Sequence, residues 1–190
     1  MPLLFVDFTK DAFQFLEERY GYKCTDSSSW LIKYETKDVF VCVEFDGTRS
    51  FEISCSVGRQ DNFKGSSQLP FDLGEIMRSQ GVAAEDAHAA FQVTTNQTLK
   101  KFLVVLATQL DKYGQDMLLG NDHAFSEVSI WRDTECMEYA QKTKMRQIRS
   151  MLQVAWGNRD YLKVIDLLDP VNDFLSDTEK KKLHYAKSHL

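Results

Sequence analysis

No stretch of this chain approaches the roughly 18 consecutive apolar residues that a membrane-spanning helix needs, so such a span is excluded. The 9 glycines are scattered, and neither GxGxxG nor the P-loop pattern occurs, which removes the familiar phosphate-cradling loops. No two of the 4 histidines stand at HxH or HxxxH spacing, and the 4 cysteines form no CxxC pair. A GxSxG nucleophile elbow is also missing. The opening residues, MPLLFVDFTKDAF, lack a basic start before an apolar run, so the sequence predicts no secretory signal and a cytoplasmic protein. In that setting Cys24, Cys42, Cys55 and Cys136 are expected to be reduced thiols.

What is present is the composition of an ordinary globular protein, 43% hydrophobic and 27% charged. The net charge of −5 is uneven. Residues 1–80 carry 9 basic and 13 acidic side chains, whereas residues 81–190 carry 14 and 15. The first part is thus the acidic one, which disfavours nucleic acid there.

Alternation marks three strands, at 29–35, 39–45 and 50–58. Trp30, Ile32 and Tyr34 share one face of the first, as do Val39, Val41, Val43 and Phe45 of the second. Phe51, Ile53, Cys55 and Val57 do the same in the third. The opposite face carries Lys33, Glu35, Glu44, Glu52, Ser54 and Ser56, so one side reads as core and the other as wet. Thr36-Lys37 and Asp46-Gly47 supply the turns.

Helices are expected at 9–20 with Thr9 as N-cap, near 72–80, around 83–90, and from a capping box at 94–97 to Gly120. Asp122 opens a further segment and Asp133 restarts a helix that runs to Trp156-Gly157. Two more follow at 159–168 and 177–189, the last announced by Ser176 and Glu179. These features predict one α+β domain over residues 1–190: a three- to four-stranded antiparallel meander covered on one face by helices, with a helical C-terminal half. Residues 1–93 form the meander half and 94–190 the helical half.

Several groupings could carry chemistry. His123 with Glu127, and Glu85 with His88, each offer two ligands where zinc takes three or four, so surface ion pairs or caps explain them. Glu44 and Glu52 are carboxylates on the wet face of the sheet. They read as solubilising charges, or as an acidic surface that meets a basic partner. Lys142, Arg146 and Arg149 share a helix face with Lys144 nearby, either a solvated face or a phosphate grip. The loop with Arg59, Asp61, Phe63 and Lys64 mixes charge with an aromatic that is either an anchor or part of the core.

Two stretches carry a resemblance. They are the run Trp30-Leu-Ile-Lys-Tyr-Glu-Thr-Lys-Asp-Val-Phe-Val-Cys-Val-Glu-Phe-Asp-Gly-Thr-Arg-Ser-Phe-Glu-Ile and the C-terminal segments 160–170 and 175–186. Both resemble small uncharacterised bacterial α+β proteins, some of which are immunity proteins that neutralise a toxin by binding it. The resemblance implies a protein that works by contact with another protein, and it carries over no functional residue. The expectation is therefore a cytosolic bacterial binding module rather than an enzyme, without metal or cofactor. Its contact residues would be Glu44, Glu52, Arg59, Asp61, Phe63 and Lys64, with Trp30 as a further anchor. The alternatives are a dimeric secretion chaperone and an enzyme whose site is assembled from distant residues.

Overall fold

The computed structural model describes residues 3–60 and 69–189. Contacts divide the chain into two compact units, Met1–Arg132 and Asp133–Leu190. The division expected after residue 93 falls inside the first of them.

The first unit is α+β. Helix α1, Phe5–Tyr20, begins four residues before the expected start. Phe5, Thr9, Phe13 and Leu16 are buried at steps of four, four and three, one stripe of an amphipathic helix. Thr9 therefore sits inside the stripe and caps nothing. Gly21, with φ 71, ends the helix in the left-handed conformation that glycine adopts without penalty.

Among the described residues six strands follow: β1 Lys23–Ser27, β2 Leu31–Glu35, β3 Val39–Phe45, β4 Glu52–Arg59, β5 Phe71–Asp72 and β6 Ala90–Gln92. The sheet order is β1-β2-β3-β4-β5, with β6 also on β4, and all pairings are antiparallel. The predicted meander is its centre, β2 to β4, and the sheet extends past it on both sides. Strand β1 was missed because it is polar along both faces. An edge strand needs no apolar alternation, and a bulge between Cys24 and Asp26 interrupts its ladder.

The register aligns Ile32, Val43 and Cys55 in one row and Tyr34, Val41 and Val57 in the next. All six are buried. Against them pack α1 and α3, Asn96–Tyr113, through Leu99, Leu103, Leu106 and Leu110. The two helices run in the same direction. Leu4 N donates to Asn96 Oδ1 at 2.9 Å at one end, and Tyr20 Oη to Asp111 Oδ1 at 3.1 Å at the other. The opposite sheet face is less wet than expected, since Phe40 and Cys42 are buried there.

Helix α2, Leu73–Ser79, has its N-cap at Asp72, and α3 has Thr95 with Thr98 as its capping pair, one residue later than predicted. Around 83–90 there is a turn leading into β6, not a helix. Helix α3 stops at Tyr113, and Gly114 leads into the single turn α4, Gln115–Leu118.

Helix α5, Asp122–Gly157, is continuous through the expected restart at Asp133. Phe125 and Val128 belong to the core of the first unit. The helix expected from Asp133 to Trp156-Gly157 is present, joined without a break to the segment that Asp122 opens, and its residues 133–140 are all exposed. In the second unit Met145, Ile148, Leu152 and Ala155 of α5 pack with α6, Tyr161–Leu168, the 3₁₀ segment Asp169–Phe174, and α7, Asp177–Lys187. Val164, Leu168, Val171, Leu175, Leu183 and Ala186 complete that core. Among the described residues no helix is long and apolar enough to cross a membrane.

Candidate functional site

At one end of the sheet the start of β2, the end of β3 and the start of β4 come together. Phe45 N donates to Trp30 O at 2.9 Å, so the β2–β3 pairing reaches one residue before β2, into the turn closed by Ser28 N on Leu31 O. Helix cover ends there, and Trp30 is 58% exposed. Phe45 beside it packs its ring 5.6 Å from Phe5.

The β3–β4 turn is built by one carboxylate. Asp46 accepts from the backbone N–H groups of Thr48, Arg49 and Ser50 and from the hydroxyls of Thr48 and Ser50, at 2.9–3.3 Å. The N–H of Thr48 foremost, with those of Arg49 and Ser50, holds this carboxyl well below the usual carboxylate range. The side chain thereby fixes a loop that a bare Asp-Gly pair would leave open.

Phe51, at the end of that loop, has φ 55 and is 42% exposed. A bulky aromatic in the left-handed region is strained by about 1 kcal/mol or more, and such strain concentrates at functional sites. The alternation had placed Phe51 on the core face. Its backbone turns it out instead, while its carbonyl accepts from Val93 N at 2.7 Å.

Trp30, Phe45 and Phe51, with Leu3 and Thr94, line an open groove of about 1070 Å³. Among the described residues its charged lining is Glu44 and Asp46, with no basic side chain. The sequence had singled out Trp30 and Glu44, and the fold brings these two together. Glu52 is exposed on the same sheet face as Glu44 but outside the groove, since Glu44 lies opposite Ser54, two residues along β4. Phe51 went unnoticed because a positive φ leaves no trace in a hydrophobic pattern.

Arg59 is engaged within its own unit. Its guanidinium pairs with Asp122, reaches Gly120 O at 3.4 Å and lies 4.5 Å over the Phe125 ring. It ties the end of β4 to the start of α5. Asp61, Phe63 and Lys64 lie outside the described residues.

A second concavity of the first unit, about 590 Å³, is lined by Tyr113, Asp116, Glu127 and Trp131 among others. Its main groups already have partners: Lys112 over Tyr113, Arg78 over Trp131, and His123 beside Glu127 at 3.4 Å. Among the described residues no group of three or more His, Cys, Asp or Glu could hold a metal ion.

The basic face of α5 is partly neutralised. Lys142 pairs with Glu138 at 3.2 Å and Arg149 with Glu179 at 2.7 Å. Ser176 donates to Glu179 from its backbone N at 2.8 Å and its hydroxyl at 2.9 Å, the capping box of α7. Arg149 chiefly, with these two donors, holds the Glu179 carboxyl at about 2, below its ordinary 4.5. A depressed folded value contributes stability that is complete above the unfolded value and is lost as pH falls from 4.5 toward about 2. With Arg149 half exposed, Glu179→Gln is expected to cost the second unit about 2 kcal/mol at neutral pH and little below pH ~2. Urea titrations followed at Trp156 fluorescence, at both pH values, check this. An equal loss at both would exclude the charge pair as its source.

No protein-family model matches the chain, and neither a curated protein nor a solved structure is similar to it.

Proposed function

We propose that this chain is a binding protein rather than an enzyme, acting by contact with another protein, and that the groove at the sheet end is its contact face. The observation that carries the reading is the pair of exposed rings, Trp30 and Phe51, set in one concavity beside two carboxylates. Large aromatics anchor interfaces because they bury much surface at little entropy cost, and surrounding charge selects and steers the partner. The strained backbone at Phe51 adds to it: folding alone gives no reason to hold a phenylalanine where glycine would sit freely.

The partner on this reading presents a basic, partly apolar surface. An immunity-type inhibitor, a small acidic protein that occupies a basic toxin, has that character. The proposal places it in the cytoplasm of a bacterium, in keeping with the resemblance of its two stretches.

Capture from the native host, with wild type and Trp30→Ala side by side, tests the reading. Wild type is expected to retain a stoichiometric protein that the variant releases, its Kd weakened by roughly 30-fold or more, the loss of one anchoring aromatic. Glu44→Lys with Glu52→Lys should slow association at low salt and leave dissociation nearly unchanged. Retention of the same protein by Trp30→Ala would refute the assignment of the groove.

A further inference from the structure

The non-buried aromatic rings of the first unit follow a pattern. Arg19 lies 5.0 Å from the Phe15 ring centre, Lys100 5.7 Å from Phe8, Lys112 4.6 Å from Tyr113 and Arg78 4.9 Å from Trp131. Tyr20 is covered by Arg19 as well, and Phe102 by Lys101. Phe91 stacks on Phe102 at 4.4 Å, and Phe45 leans on Phe5. Among the described residues two rings stand outside this pattern. Trp30 and Phe51 have neither a cation over the ring nor another ring against it, and they line the same groove.

An aromatic ring carries a negative π face, and a cation placed over such a face is attracted to it. Glu44 stands beside Trp30 and Phe51 with no hydrogen-bond or ion-pair partner among the described residues. Among the described residues no basic side chain lines the groove to repel an incoming cation. An anionic ligand would meet two carboxylates there.

Resting on the reading of the groove as a protein contact, the geometry points to an arginine side chain of the partner, seated against Trp30 and Phe51 with Glu44 as its counter-ion. Arginine fits better than lysine. Its planar guanidinium stacks on aromatic faces, is weakly hydrated and so loses little on leaving water, and can still fork to a carboxylate. Its alkyl stem would lie along Phe45 and Leu3, which form the apolar part of the lining.

The test uses the full-length ¹⁵N-labelled chain titrated with acetyl-Leu-Arg-Leu-amide and with the same peptide carrying citrulline, which keeps the shape of arginine and removes its charge. The arginine peptide is expected to shift the Trp30 indole N–H and the Phe51 amide, binding roughly tenfold more tightly than the citrulline peptide. Glu44→Gln should narrow that preference. Phe51→Gly, which suits the positive φ and keeps the fold, should bring the arginine peptide down toward citrulline.

Equal affinities for the two peptides would overturn arginine capture and leave the groove as an uncharged protein contact. A lysine peptide binding more tightly than arginine would overturn the choice of guanidinium. Absence of any shift at millimolar peptide overturns the capture itself. The reading of the groove as a protein contact falls by a different result, retention of the native partner by Trp30→Ala.

Discussion

Replacing Arg132 by methionine is expected to cost the first unit about 3–4 kcal/mol, the loss seen when one partner of a buried ion pair is removed. Its Nε donates to Glu75 Oε1 at 2.7 Å, and a second N–H reaches the other carboxylate oxygen. Further donors go to Leu69 O at 2.9 Å and Pro70 O at 2.7 Å, and the guanidinium lies 4.0 Å over the Phe71 ring. Glu75 accepts in turn from Asp72 N at 2.9 Å, closing the capping box of α2. One side chain therefore ties α5 to the segment before β5 and to the start of α2. Methionine keeps part of the packing but leaves a largely buried carboxylate without its counter-ion and two carbonyls without donors. Adding Glu75→Gln to the variant should recover part of the loss, since the stranded charge is then gone. Urea denaturation of wild type and the two variants measures this, and a loss below about 1 kcal/mol for Arg132→Met would show the cluster to be merely superficial.

Gly58→Ala is the second large effect. In most extended positions this change is stabilising by about 0.4–1 kcal/mol, because it restricts the unfolded chain. Here the sign reverses. Gly58 lies directly opposite Phe40, and a Cβ on it would fall 2.3 Å from Phe40 Cζ and 2.7 Å from Cε1. The ring is 2% exposed, with Lys33 Nζ 4.9 Å from its centre, so it has little room to swing aside. Overpacking of this kind costs about 1–3 kcal/mol, and the upper part of that range is expected. Phe40→Leu in the Gly58→Ala background should be less damaging than in wild type. Simple additivity of the two changes would contradict the contact.

Much of the first unit could be read from alternation. Strand β3 has its predicted bounds, and the rows Ile32–Val43–Cys55 and Tyr34–Val41–Val57 are the core rows expected of it. The cap at Ser176 with Glu179 was equally legible, because capping boxes are local chemistry. The misses have physical causes. Strand β1 forms by completing a ladder, and backbone hydrogen bonds carry no side-chain signature. Asp133 reads as the restart of a helix, whereas α5 runs through it without a break. In the groove, Trp30 and Glu44 could be named from the strand pattern. The outward turn of Phe51 depends on the fan of hydrogen bonds around Asp46, which only the folded loop assembles. Arg59 looked like a loop charge open to a partner, but distant residues, Asp122 and Phe125, engage it.

The most direct test of the central claim is Phe51→Gly, measured for stability and for affinity toward the protein captured by wild type. Glycine relieves the left-handed strain while removing one wall of the groove, so the two quantities should part. Stability is expected to stay level or rise by up to about 1 kcal/mol, while binding weakens by roughly tenfold or more. If binding is unchanged while stability falls, Phe51 serves the fold, and the groove is not where this protein meets its partner.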